Sequence, residues 1–184
     1  FSNCVSLMKL DVSGWNTSNV ANMGGMFNNC RSLIGLDVSH FDTHNVTYMS
    51  NMFNECCSLT WLYVNNFDTS KVTDMGRMFY NCSGLTELDV SNWNTNEVTN
   101  MYAMFYNCKE LHTIYASTWF ITSWVTNAAS MFGSINKLVW WHGTKSPSLW
   151  ITKSGAVLDS ESESWYLTYD IAVSYRTRSG VELA

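Results

Sequence analysis

Proline, charge of either sign and long apolar runs are all scarce in this sequence. Proline occurs once in 184 residues, which excludes a proline-rich linker and a collagen. Lys and Arg together number only ten and the net charge is −5, which argues against a nucleic acid or an anionic membrane as partner. No apolar run approaches the roughly eighteen residues that cross a bilayer, so we expect no transmembrane segment. Aromatic residues, by contrast, reach 15%, which excludes a disordered chain.

The cysteines reveal a repeat. Six cysteines suggest a disulfide framework by number alone, but five of them recur with a constant period of 26. These five are Cys4, Cys30, Cys56, Cys82 and Cys108. Phe, Leu, Val, Met and Thr follow the same period, with the consensus L-x-x-L-x-V-S-x-[WF]-[ND]-T-x-x-V-x-x-M-x-x-M-F-x-N-C. Because no single unit can bury its own apolar side, we expect successive copies to stack into a shared core.

Each unit contains two local periodicities. The spacing of two between Leu10 and Val12 predicts a short strand with one buried face. The V-x-x-M-x-x-M-F-x-x-C segment steps by three and four, which predicts a short helical return. Pairs such as Asn16-Thr17 precede this segment and are expected to accept hydrogen bonds from the first amides of the helix. The sequence therefore predicts parallel strands about 4.8 Å apart, each followed by a turn and a short helix.

The complete unit resembles the BspA-like leucine-rich repeats of bacterial surface proteins and surface lipoproteins. L-x-x-L-x-V resembles the leucine-rich-repeat core, and M-x-x-M-F-x-N-C resembles the return of that family, over about residues 1–143. The resemblance implies an α/β leucine-rich-repeat solenoid that is extracellular, attached to the cell surface and used in adhesion. A right-handed coil also follows from the general rule for parallel crossovers. No catalytic residues are implied.

Two segments are expected along the chain. Residues 1–143 would form the solenoid, with about five coils, and residues 144–184 a β-rich C-terminal segment. The Phe column steps by 27 rather than 26 between Phe105 and Phe132, which marks an atypical last coil. Residues 149–158 read as strand, tight turn and strand.

Residues 165–176 alternate strictly between apolar and polar, which predicts a long strand that caps the last coil or packs on a neighbouring molecule. At the other end, Phe1 lies in the middle of a repeat with no polar cap before it. We therefore expect either further chain upstream or a second copy that covers this end.

Residues for catalysis or metal binding are not arranged in any known motif. The four histidines stand in no pattern with a nucleophile or a metal ligand, and the sequence has no C-x-x-C, P-loop, H-E-x-x-H or G-x-S-x-G motif. We therefore expect no enzyme, no bound metal and no cofactor. The cysteine column is expected to consist of buried thiols, and Cys57, which lies off the column, is the candidate for a disulfide or a surface thiol.

The candidate binding surface is the outward face of the strands. The consensus residue between Leu and Val is Asp, but two copies replace it with Tyr and one adds a Trp two residues earlier. The residues of interest are Trp61, Tyr63, Asp37, Asp89 and Tyr115. Exposed aromatics beside carboxylates are typical of surfaces that bind proteins or glycans. The alternative is repeat drift on a solvated face.

Three triplets match the acceptor pattern for N-glycosylation, at Asn16, Asn45 and Asn81. Asn81 belongs to a column of equivalent asparagines, so we expect its amide to satisfy backbone groups inside a turn. Asn16 and Asn45 are the positions expected to be exposed.

Two functions are compatible with these features. The first is a cell-surface module that binds a protein or glycan through the sheet face. The second is a structural subunit of an extracellular fibril, in which molecules stack end to end as homo-oligomers or filaments.

Overall fold

The computed structural model describes residues 1–117 and 119–135, together with the backbone of Val139–His142 and Leu149–Thr152. We number the repeats from the Phe column. Repeats 1 to 4 are residues 1–26, 27–52, 53–78 and 79–104, and repeat 5 begins at Phe105.

Short parallel strands form one side of the repeats. The strands are β1 (Gly35–Asp37), β2 (Trp61–Tyr63), β3 (Glu87–Val90), β4 (Thr113–Ala116), β5 (Val139–His142) and β6 (Leu149–Thr152). β1 pairs with β2, and β3, β4 and β5 pair in order, all in parallel. β6 runs antiparallel to β5. In every parallel pair the partners are one repeat period apart, so the register of the two small sheets is the sequence period itself.

A second line of backbone contacts joins the repeats at their M-x-x-M segments. Isolated parallel bridges connect Asn22, Tyr48, Asp74, Asn100 and Asn127 in turn. The last step is longer than the others by one position, which confirms the slip predicted between Phe105 and Phe132. The two rings of that pair still stack, with centroids 5.4 Å apart.

The predicted helical returns are wrong for the described residues, which contain no helix. In these segments every second amide donates to the next repeat, as the Phe27, Phe53 and Phe79 amides do to the Met52, Met78 and Met104 carbonyls at 2.9 Å. The amides between them close tight turns, as the Met52 amide does to the Met49 carbonyl at 3.2 Å. Left-handed residues such as Asn29 (φ 61°) and Asn81 (φ 58°) also interrupt any helix. The spacing of three and four therefore arises from successive tight turns.

The interior is made of columns of identical or closely similar apolar side chains. Phe27, Phe53, Phe79 and Phe105 are fully buried, with neighbouring ring centroids 5.4 to 5.7 Å apart. Leu, Val and Met columns are buried beside them. Burying one such side chain contributes about 1.5–3 kcal/mol, and the columns place this burial between successive repeats.

Buried threonines link the repeats at the predicted capping positions. The Thr69 hydroxyl donates to the Asn94 carbonyl at 2.8 Å and accepts from the Asn94 amide at 2.9 Å. Thr17 makes the same pair of bonds with Asp42. Thr43 donates to the Asp68 carbonyl, and Thr95 bonds both backbone groups of Ile121. The predicted helix cap is therefore a hydrogen-bonded link to the next repeat.

The predicted C-terminal segment, residues 144–184, is described only at β6. The first of its predicted strands coincides with β6. The second strand of that hairpin and the long alternating strand at 165–176 lie outside the described residues.

Candidate functional site

Trp61 and Tyr63 form an exposed aromatic pair on β2. The strand alternates, so that Leu62 faces the core while Trp61 and Tyr63 are 44% and 55% exposed. Their ring centroids lie 5.4 Å apart with a tilt of 39° between the planes. Large apolar area that remains in solvent on a short, well-packed strand is a feature of binding surfaces.

Gly35 makes room for the Trp61 indole. The two residues are register partners on β1 and β2. A Cβ atom at Gly35 would overlap the indole ring, so the ring lies directly on the glycine backbone. The corresponding residue is Lys9 in repeat 1 and Glu87 in repeat 4, either of which would displace the ring from this position. The orientation of Trp61 therefore depends on two departures from the repeat, one in each strand.

The consensus aspartates of this face close turns. The Asp37 carboxylate accepts the Ser39 amide at 2.9 Å, and Asp89 accepts the Ser91 amide at 2.9 Å. The hydrogen bond from Ser39 holds the pKa of Asp37 below its ordinary value, so the group is ionised at neutral pH. Sequence reasoning missed this role, although Ser two residues after each Asp was a visible signal for an Asx turn.

Tyr115 differs from Tyr63 in exposure and partner. It is half-buried, and its hydroxyl donates to the Glu87 carboxylate at 3.5 Å. Burial, followed by the charge of Glu87, raises the pKa of the Tyr115 phenol. Asp89 is also half-buried and accepts a bond from the Asn65 amide at 3.5 Å. The structure thus leaves Asp37, Trp61 and Tyr63 as the exposed members of the predicted set.

The predicted cysteine column lies in the interior. Cys30, Cys56, Cys82 and Cys108 are fully buried, and Cys4 in repeat 1 is half-buried. The thiols of Cys56, Cys82 and Cys108 donate to the carbonyls of Phe27, Phe53 and Phe79 at 3.0 to 3.1 Å. Burial raises the pKa of both Cys56 and Cys108 to about 12. These thiols are therefore packing groups with suppressed reactivity.

Cys57 is a free thiol and is half-buried. Its sulfur donates to the Glu55 carbonyl at 3.4 Å and lies 3.5 Å from the Asn81 amide nitrogen. Burial, and then the Glu55 charge, raises the pKa of this thiol. All six cysteines are described, and none of them forms a disulfide.

The three sequons differ in how their amide nitrogens are used. Asn16 is exposed, and its carbonyl oxygen accepts from Ser18. Asn45 was expected to be exposed, but it is half-buried and its Nδ2 donates to the Ser18 carbonyl at 2.9 Å. Asn81 Nδ2 donates to Glu55 at 2.9 Å rather than to backbone groups. Both Asn45 and Asn81 therefore have the glycan-accepting nitrogen engaged.

A second aromatic cluster, not predicted from the sequence, lies among the turns. The Tyr80 and Tyr106 rings stack at 5.2 Å, and the Arg77 guanidinium lies 5.1 Å from the Tyr102 ring centre and 5.8 Å from that of Tyr80. The sequence did carry a signal for this cluster, since Tyr stands at the same position of two successive repeats. The three tyrosines are half-buried, so the cluster offers less free aromatic surface than Trp61 and Tyr63.

Clusters of metal-ligating side chains are absent from the part of the chain that the structure describes. No group of three or more His, Cys, Asp or Glu side chains there could hold a metal ion. The same residues include no helix of the length and apolarity needed to span a bilayer.

Comparisons with known proteins place the chain in a family. No curated protein and no solved structure matches it. One family model, described as "Mycoplasma protein of unknown function, DUF285", matches residues 36–140. The match covers more than half of the chain and spans the strands from β1 into β5, including Trp61, Tyr63 and their aspartate neighbours. The chain therefore belongs to the DUF285 family.

Proposed function

We propose that this chain is a non-enzymatic repeat protein of an extracellular cell surface that binds a protein or glycan ligand through the outward face of its strands. Its repeats would form a right-handed leucine-rich-repeat solenoid of the BspA-like kind. The DUF285 match and the register of the parallel strands, which equals the repeat period, support this architecture.

The observation that carries the binding proposal is the exposed Trp61–Tyr63 pair. Core positions keep the same or a similar apolar residue from repeat to repeat, whereas the first outward position of β2 holds a Trp whose ring fits because its neighbour is Gly35. A solvated face needs no aromatic residue here, since the equivalent positions elsewhere are Lys9, Glu87 and Thr113. Tyr and Trp supply large contact area at low entropic cost, which suits a ligand-binding surface.

The proposal is tested by binding of the purified chain to immobilised extracellular-matrix proteins and glycans. The double variant Trp61→Ala/Tyr63→Ala should lose at least about tenfold in affinity, because truncating a central aromatic anchor costs about 2 kcal/mol or more. Its melting temperature should stay within a few degrees of the parent chain, since both side chains are largely in solvent.

A matched control removes two other exposed aromatics. Trp119 and Trp124 are 61% and 66% exposed and lie outside the strands. Trp119→Ala/Trp124→Ala should bind like the parent. Equal binding by the Trp61/Tyr63 variant would reject the sheet face as the site.

The alternative function, a fibril subunit assembled end to end, stays a prediction from the sequence. Light scattering and electron microscopy of the purified chain test it. A species that stays monomeric across concentrations would count against it.

A further inference from the structure

The surroundings of the aromatic pair carry negative charge. Asp37 is the register partner of Tyr63 on β1. On the other side, Asp89 and Glu87 occupy the positions of β3 that are equivalent to Tyr63 and Trp61, one repeat further along. In the neighbouring repeats, the position of Tyr63 is therefore an aspartate on both sides. The position of Trp61 is Gly35 on one side and Glu87 on the other.

Positive charge is missing from the outward positions of β1 to β4, although Lys9 holds the equivalent position in repeat 1. None of the outward-facing residues of β1, β2, β3 and β4, all of which are described, is Lys or Arg. The Asx turn to Ser39 lowers the pKa of Asp37. Aromatic faces attract cations through their quadrupole, and adjacent carboxylates strengthen that attraction. The same carboxylates repel anionic sugars and phosphates.

We propose, on the basis of the binding function above, that the sheet face takes a basic segment of a protein partner, with Arg or Lys side chains lying over Trp61 and Tyr63 and beside Asp37 and Glu87. An extended segment fits this face, because its alternate side chains point to one side, as do the alternate residues of β2. Charge complementarity and the accessible aromatic pair select this ligand over an acidic glycan.

The test uses a defined probe, the peptide acetyl-Gly-Arg-Gly-Arg-Gly-Arg-Gly-amide, with a Gln-for-Arg version as the uncharged comparison. The Arg peptide should bind at low ionic strength and weaken as salt is added, and the Gln peptide should bind at least about tenfold more weakly. Isothermal titration calorimetry measures both affinities.

A charge variant and the aromatic variant Trp61→Ala/Tyr63→Ala separate the contribution of charge from that of aromatic surface. Asp37→Asn/Glu87→Gln removes two charges, and the asparagine side chain can still accept the Ser39 amide that closes the turn. Its matched control, Asp68→Asn/Glu97→Gln, removes two exposed charges from residues outside the strands, and its asparagine can likewise still accept the Ser70 amide. We expect about a tenfold loss of Arg-peptide affinity in the first variant and in Trp61→Ala/Tyr63→Ala, and little change in the control.

Three outcomes would overturn the inference. Equal losses in the two charge variants would mean that net charge alone attracts the peptide. Unchanged binding by Trp61→Ala/Tyr63→Ala would remove the aromatic contact. Tighter binding of heparin or of an uncharged oligosaccharide at this face would assign a glycan instead. If matrix binding depends on Trp61 and Tyr63 but not on Asp37 and Glu87, the proposed function stands and only the basic ligand fails.

Discussion

The buried columns and the strand face come from the same repeating unit, but they tolerate change very differently. In the columns, Phe53, Phe79 and Phe105 stack with planes within 7° of one another. On the face, the equivalent outward positions are Gly35, Trp61 and Glu87. The difference follows from packing, because a buried residue must match its neighbours above and below, whereas an outward residue meets solvent. Ligand-specific residues are therefore to be sought on the face.

The largest effect should come from breaking a column. Phe79→Ala removes a fully buried ring that stacks on Phe53 and Phe105, and the free energy of unfolding should fall by about 3–5 kcal/mol. The same truncation on the face, Tyr63→Ala, should change it by less than about 1 kcal/mol. Denaturant unfolding followed by circular dichroism measures both. Similar losses for the two variants would contradict the assignment of core and face.

A smaller effect should come from the threonine links between repeats. Thr69→Val keeps the shape of the side chain but leaves the Asn94 amide and carbonyl without the hydroxyl, at a cost of about 1–3 kcal/mol. Thr69→Ser keeps the hydroxyl and should cost less. Unfolding curves for the two variants decide this, and a Val variant as stable as the parent would show that the link contributes nothing.

The repeat, its register and the buried residues could be predicted from the sequence because they depend only on the period. The pairing of Leu36 with Leu62 and of Leu88 with Ile114 follows directly from that spacing. The one-residue slip before Phe132 was also visible in the sequence, since Val125, Met131 and Phe132 each follow their equivalents in the preceding repeat by 27 residues.

The helical return could not be predicted correctly, because apolar residues three and four apart fit a helix and a series of tight turns equally well. The hydrogen-bond partners of the amides decide between the two, and every second amide donates to the next repeat, as the Phe27 amide does to the Met52 carbonyl. A single repeat considered alone contains no such partner. Left-handed Asn29 and Asn81 were the local signal, since Asn tolerates this conformation better than most residues.

The candidate site could be predicted only in part from the sequence, for a related reason. Trp61 and Tyr63 stood out as departures from the consensus, but Asp37 and Asp89 were expected to serve ligand binding and are also the acceptors of local turns. Asn45 was expected to be exposed, and its engagement with Ser18 in the preceding repeat depends on contacts between repeats. Strand alternation gives the direction of a side chain but not its partners.

Thiol accessibility tests most directly the central claim that equivalent residues of successive repeats share one interior. Native protein is treated with iodoacetamide at pH 8, and the modified cysteines are identified by mass spectrometry. Cys30, Cys56, Cys82 and Cys108 should stay unmodified until denaturant is added, since they are fully buried. Only Cys4 and Cys57, which are half-buried, should react beforehand. Rapid modification of the four column cysteines in folded protein, at the rate seen for Cys57, would contradict the stacked interior.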